Sequence, residues 1–334
     1  MNKIKHLLVT GSITFLSFLT MNNTSCAKTG NNMTSINLDN TQNWCLGRYT
    51  FVIPKEATFY QQRDQYDSFT IKKVQMNATQ ADFDKQTNYI LSEYTKRSRQ
   101  VIDNLPVEKY GTAIAKIIRV KISPAAPLTQ IFAFVLDRNQ LFYIEGSYGK
   151  GYKEESAEAI NHLVSNLKAR SDNEIPKEAG VCIYKGFIKD NGQKYRHSLQ
   201  SLVFDVMPKY PTVLITLETE ANISKPVGMI KRVETELKEQ GVFSRVFGHI
   251  KTIKKGSRTV NGRIGDEWIT DSPMKGKNGL NATWEYAGLE RNGLEPSLQV
   301  DVDSGNETDV YSASISHIET QKLYELILNS MKKF

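Results

Sequence analysis

A catalytic or metal site is built from histidines, cysteines, paired acids or glycine-rich loops, and this 334-residue chain holds few of these in working arrangements. Beyond His6, the histidines His162, His197, His249 and His317 each stand alone in sequence. None has the His-x-x-x-His or Cys-x-x-Cys spacing that brings metal ligands onto one face. Gly146-Ser147-Tyr148-Gly149-Lys150-Gly151 comes closest to a reactive loop. It lacks the five-residue spacing of a nucleophile elbow, and no Ser or Thr follows Lys150 as a phosphate loop requires. It reads as a strand-to-helix loop needing permissive backbone angles. The acidic pair Glu154-Glu155 suits a helix N-terminus, where negative charge is favourable, and Asp266-Glu267 carries no glycosidase pattern. The reading is therefore a non-enzyme with no catalytic residue, no metal and no cofactor. Its function would be binding.

The N-terminus predicts where that binding occurs. Lys3, Lys5 and His6 precede an apolar stretch, Leu7–Leu19, too short to span a bilayer and typical of a signal peptide. Residues 1–27 are read as that leader. Two processing readings stay open: cleavage after Ala27, or lipid attachment at Cys26. No later segment is apolar enough to span a membrane. An exported chain meets an oxidising compartment, where the remaining Cys45 and Cys182 can persist as a disulfide. The alternative is two buried thiols. The formal charge of +7 is spread among interspersed acids and bases, unlike the concentrated basic patch of a nucleic-acid binder.

The elements that would hold a binding surface fall into two similar halves, separated by the polar stretch 172–179. The predicted order is a tether over 28–43, an N-terminal domain over 44–171 and a C-terminal domain over 180–334. In the first, strands are predicted at Tyr49–Ile53, Asp67–Met76, Ala113–Ile122, Gln130–Asp137 and Gln140–Tyr148 from alternating apolar residues. Helical spacing marks Gln80–Asp103 and Glu154–Ala169. In the second, strands are predicted at Cys182–Lys189, Gln200–Met207, Thr212–Glu220, Val246–Lys254, Arg263–Thr270, Ala282–Gly288 and Ser297–Val302. A helix would start just before Pro226 and end just before Gly241, and another would run over Glu319–Lys332. Each half is thus an α+β unit, a mostly antiparallel sheet packed with helices. Trp268 and Trp284 are expected in the core.

Several short motifs add a family. Cys45-Leu46-Gly47-Arg48-Tyr49 leading through a strand to Pro54-Lys55 resembles the opening of the type VI secretion lipase-immunity proteins. Gly180-Val181-Cys182 is similar to the start of that family's second domain. Gly262-Arg263-Ile264-Gly265-Asp266-Glu267, then Trp284-Glu285, Gly288, Pro296-Ser297-Leu298 and Ser304-Gly305, resembles its C-terminal part. The resemblance implies a bacterial periplasmic protein that binds a phospholipase effector and holds it inactive. An envelope lipoprotein with a structural or assembly role is the alternative. The basic, glycine-containing segments carrying Lys254, Lys255 and Arg258, and Lys275 and Lys277, are expected to be inter-strand loops that meet the effector; plain hairpin connections are the competing account.

Overall fold

Alternating apolar residues and two capping motifs generate most of the elements. The computed structural model describes residues 35–96, 99–239, 251–272, 278–305 and 312–334. In the first half lie strands β1 (Thr41–Leu46), β2 (Tyr49–Pro54), β3 (Thr58–Tyr66) and β4 (Phe69–Met76), helix α1 (Gln80–Thr95), strands β5 (Gln100–Asn104), β6 (Glu108–Tyr110), β7 (Ala113–Lys121), β8 (Thr129–Asp137) and β9 (Gln140–Tyr148), then helix α2 (Lys153–Asn166) and β10 (Leu167–Ala169). The second half contributes β11 (Gly180–Ile183), β12 (Gly186–Lys189), β13 (Ser198–Val206), β14 (Tyr210–Glu220), α3 (Met229–Glu239), β15 (Thr252–Val260), β16 (Arg263–Ser272), β17 (Gly279–Tyr286), β18 (Ser297–Asp303), α4 (His317–Ser330) and β19 (Lys332–Lys333). The fold is α+β, and its strand pairings are antiparallel.

Several boundaries differ from expectation for identifiable reasons. Helix α1 starts as predicted, where Thr79 and Asp82 form a reciprocal capping box. It stops at Thr95, not Asp103, because Gln100–Asn104 pairs with β7 and Arg119 reaches Asp103 at 3.0 Å. The helical spacing of Val101 and Leu105 was coincidental. Helix α2 ends at Asn166, since Leu167–Ala169 joins β12 as a strand. The run Cys182–Lys189 is a hairpin rather than one strand, turning at Lys185 with φ 59°. Strand β1 begins at Thr41, inside the stretch read as a tether. Pro226 lies ahead of α3 rather than within its first turn. The end of that helix at Gly241, most of the strand predicted from Val246, and Cys26 with the rest of the leader lie outside the described residues.

Both halves share one sheet. Its order is β15-β16-β17-β18-β14-β13-β3-β4-β9-β8-β7-β5, with β6 also on β7. The β13–β3 ladder, from Ser198↔Tyr66 to Asp205↔Thr58, joins the halves. One face of the sheet is covered along its length. In the first half Ile117, Ala133 and Ile144 pack with Ile160 and Leu163 of α2. In the second half Leu202, Ile215, Trp284 and Val300 pack with Leu323, Tyr324 and Ile327 of α4. Trp284 is fully buried and Trp268 nearly so, as expected. On the opposite face, Phe83 and Ile90 of α1 pack on Ile118, Phe132 and Phe134.

The halves also exchange segments. Strands β1 and β2, early in the chain, bury Trp44, Leu46, Tyr49, Phe51 and Ile53 in the core of the second half. Strands β11 and β12, early in the second half, bury Val181, Ile183 and Ile188 in the core of the first. Where the segments cross, Cys45 and Cys182 form a disulfide with Cα atoms 5.7 Å apart. Beside it, Gly47 and Cys182 exchange N–H···O bonds of 2.8 and 2.6 Å. Gly47 has φ +54°, and a Cβ there would stand 2.4 Å from Thr219 Cγ2, so glycine is required twice over. Arg48 is buried and donates to the carbonyls of Gly180 (3.1 Å), Asp190 (2.9 Å) and Gly293 (2.6 Å) and to the Asp190 carboxylate (3.1 Å). The described elements and their cores all lie in one compact unit, Ser35–Phe334.

The disulfide closes a loop with a sequence separation of 137, which corresponds to about 4–5 kcal/mol in the chain-entropy account. Cys45→Ala with Cys182→Ala should lower the urea midpoint accordingly, and reductant should shift the wild type to the same midpoint. A midpoint unchanged in both experiments would show that the exchanged strands hold without the bond.

Candidate functional site

Covering one face of a sheet from end to end leaves the other as the place to look for a surface. Helix α1 lies on that second face over β5, β7 and β8, and α3 lies on it over β16. Between them, no described element covers β4, β3, β13, β14 and β18. Among the described residues, the result is a sheet face between two helices that no helix or strand covers, most exposed at β3 and β4 and more enclosed at β18.

Strand register determines what this face displays. Across β3, β13 and β14, Gln61, Val203 and Thr216 form one row, and Arg63, Ser201 and Glu218 the next. Across β14, β18 and β17, Leu214, Asp303 and Asn281 align, as do Thr216, Asp301 and Thr283. The charges are segregated. Arg63, Lys72 and Lys73 lie on β3 and β4, whereas Asp205, Glu218, Asp301 and Asp303 lie on β13, β14 and β18. Lys72 pairs with Glu145 at 2.8 Å, and Asp205 accepts a hydrogen bond from Thr58. Burial pushes Asp301 up to about 7, against the pull of hydrogen bonds from Thr283 (2.5 Å) and Asn281 (3.4 Å). Asp303 is likewise raised by burial, and the Gly305 N–H donated to it opposes this.

Strand β3 was not predicted, and with it the face was missed. Its sequence Thr58-Phe59-Tyr60-Gln61-Gln62-Arg63-Asp64-Gln65-Tyr66 is polar, and a bulge at Tyr60 inverts its alternation, so Phe59 and Gln62 point to the same side. Its inward Asp64 is fully buried, accepting from Tyr184 N at 3.2 Å and Gln62 Nε2 at 3.0 Å; burial pushes it up to about 7. A weak signal existed in the alternating polar residues of two predicted strands of the same face, Gln200–Met207 beside β3 and Ser297–Val302 two strands further along.

The basic residues expected in loops are elsewhere. Lys254, Lys255 and Arg258 belong to β15, the edge strand of the sheet, so the loop assignment is corrected. The segment pairs with β16 along most of its length, and no loop separates it from the ladder. Arg258 is internal to the fold. It donates to Glu267 (2.5 Å) and to both oxygens of Glu325 (2.8 and 2.6 Å), and its guanidinium lies 5.8 Å from the Tyr324 ring centre. Lys255 pairs with Glu234 of α3 and sits 3.7 Å over the Trp268 ring. Lys254 comes within 2.5 Å of the buried Glu267 carboxylate, an ion contact without hydrogen-bond geometry, and stays more than half exposed. Lys275 and Lys277 lie outside the described residues.

The motif residues around these positions are scaffold. Asp266 accepts the Ile230 N–H at 3.0 Å at the start of α3, and Glu285 holds Arg232 of the same helix at 2.6 Å. Gly265 lets β16 pass β17, since a Cβ there would stand 2.5 Å from Glu285 O and 2.6 Å from Trp284. Trp284 donates to Arg258 O at 3.1 Å, and Tyr324 to Glu267 at 3.1 Å. Among the described residues no group of His, Cys, Asp and Glu could hold a metal.

Comparison with known proteins fits this geometry. Residues 174–333 match the family model described as the Tle cognate immunity protein 4 C-terminal domain. The second half is an immunity domain of that family. The whole chain also resembles solved structures. The apo immunity protein TplEi of the type VI secretion system of Pseudomonas aeruginosa superposes with a TM-score of 0.73 at 18% identity, over 90% of this chain and 99% of that one. A Tle4–Tli4 complex gives 0.72 at 17%, over 89% and 98%. TplEi complexed with an "L" peptide gives 0.68 at 17%, over 88% and 98%. These likenesses extend the shared fold to both halves. No curated protein sequence matches.

Two outcomes separate scaffold from surface in the immunity domain. Arg258→Ala leaves buried Glu267 without its main partner and should cost about 3 kcal/mol or more, whereas Lys254→Ala should cost under about 1 kcal/mol; paired urea melts measure both. The second outcome follows from the raised carboxyl of Asp301. Its folded state keeps a proton that the unfolded chain releases near the ordinary carboxylate range. Stability is therefore lost as pH rises toward about 7. Asp301→Asn should raise the thermal midpoint at pH 8 more than at pH 4, and an equal gain at both would refute the assignment.

Proposed function

We propose that this chain is a type VI secretion immunity protein that binds a phospholipase effector in the periplasm and holds it inactive without chemistry of its own. The match of residues 174–333 to an immunity domain carries this reading. The fold likeness to a Tle4–Tli4 complex supports it. In the same reading, residues 1–27 direct export, Cys26 is a candidate anchor, and the stretch 172–179 divides two domains that remain laced by their exchanged strands.

The contact surface we assign to the effector is the open sheet face between α1 and α3. A sheet face presents side chains at fixed spacing, so little ordering entropy is lost on binding. The row Gln61, Val203 and Thr216 offers mixed contacts, and the separated bases and acids favour a partner of matching polarity. Lys254 and Lys255, on the edge strand β15, stand apart from this face, since Lys255 is engaged by Glu234 of α3 and Lys254 contacts Glu267 on the α4 side. With Lys275 and Lys277, which follow β16 in the sequence, we include them in the proposal as a second, separate contact. Inhibition follows from occupancy: a protein seated on the enzyme blocks lipid entry. Nanomolar binding, about −12 kcal/mol, keeps the active fraction small.

The test uses a phospholipase effector captured from cell extract with this chain as bait and then purified. Arg63→Glu with Lys73→Glu should slow association by about tenfold at low salt and weaken protection, while Lys55→Glu, at the end of β2, should not. Unchanged binding with an intact fold would move the interface off the open face. Failure of the wild type to capture a phospholipase would refute the immunity reading itself.

A further inference from the structure

One end of the first half gathers apolar side chains and lysines that the fold does not use. Strand β7 ends at Lys121, β8 begins at Thr129 and β9 ends at Tyr148. The pairs Val120↔Gln130 and Thr129↔Tyr148 set these three ends side by side. The loops leaving them are therefore neighbours. A Cβ at Gly149 would meet Leu128 Cδ2 at 3.8 Å, and the Tyr152 N–H donates to the Gly149 carbonyl at 3.3 Å. From this end Ile122, Leu128 and Tyr152 project with 56%, 50% and 64% of their surface exposed.

The charges at the same end are uneven. Lys121, Lys150 and Lys153 stand at this end with no ion pair among the described residues, as do other exposed lysines of the chain such as Lys55 and Lys73; what distinguishes them is their place beside the exposed apolar tips. Two exposed acids share this end, and part of their charge is offset by the helix they begin. Glu154 and Glu155 occupy the first turn of α2 and face its N-terminal dipole. Glu93, near the end of α1, contacts Lys96 and Arg99 at 3.6 and 3.7 Å.

We propose that this loop end, formed by residues 122–128, 149–152 and the start of α2, is a docking surface for an anionic phospholipid bilayer. The apolar groups sit on protruding loop tips rather than in a groove. A protein partner would present shaped side chains to fill, whereas tips of this kind enter a fluid boundary. Ile122 and Leu128 reach the acyl edge, Tyr152 stays at headgroup depth with its hydroxyl in water, and the lysines meet lipid phosphates. Pro124 and Pro127 limit the freedom of the inserting loop.

The compact unit Ser35–Phe334 is the material for the test, since it contains the described cores and excludes the leader. It is sedimented with vesicles of phosphatidylglycerol and phosphatidylethanolamine, and separately with phosphatidylcholine. Binding should favour the anionic vesicles and weaken with salt. Lys150→Glu with Lys153→Glu should reduce it at least about fivefold. Leu128→Ser with Tyr152→Ser should reduce it at constant charge, with the thermal midpoint confirming an intact fold in each. Equal sedimentation with both vesicle types, or variants that sediment like the wild type, would overturn the proposal. So would variants that lose phospholipase binding while vesicle binding is absent throughout, which would make this end a protein contact.

Discussion

The ladder between β3 and β13 is the interaction on which the other features depend. It converts two modest sheets into one, and only a single sheet has a continuous face that can be covered on one side and left open on the other. Its inner side is held by aromatic packing: Phe59 stacks on Tyr184 at 4.1 Å, and Trp44 meets Phe204 edge-on at 4.8 Å. The bulge at Tyr60 keeps the register of both flanks while turning Gln61 and Arg63 outward. Were β3 to slip by one residue, Asp64 would face the open side and Arg63 the core.

Segment exchange makes that joint hard to open. Separating the halves means withdrawing β1 and β2 from one core and β11 and β12 from the other, with a disulfide at the crossing. Arg48 adds a further constraint, because buried guanidinium groups tolerate few geometries and this one has carbonyl or carboxylate partners from both sides of the crossing. Asp190 is shared between Arg48 and Tyr66. A surface mounted on such a body is preorganised, which suits a protein whose function is to stay bound.

Charge alone is a poor guide to function in this chain. Arg258, Glu267, Asp266 and Glu285 occupy the most motif-like stretches, yet each is committed to holding α3 or α4 against the sheet. The exposed residues of the open face belong to no motif. Close approach and buried pairing admit few residue types and so leave legible marks in a sequence, whereas an exposed strand face leaves no comparable pattern.

The sequence by itself determined the α+β class, the two cysteines that can bond, the start of α1, and the core strands β7, β8 and β9. These depend on local periodicity or on side-chain chemistry that acts within a few residues. The motif resemblance also pointed to an immunity protein before any geometry was known. Tertiary structure alone decided that Gln100–Asn104 is a strand, that β3 exists, that each half donates strands to the other, and that β15 rather than a loop carries Lys254, Lys255 and Arg258. In each case a partner strand distant in the chain supplies the hydrogen bonds. No pattern within the segment records which partner that will be, so the open face, built from register across five strands, could be read only after the chain had folded.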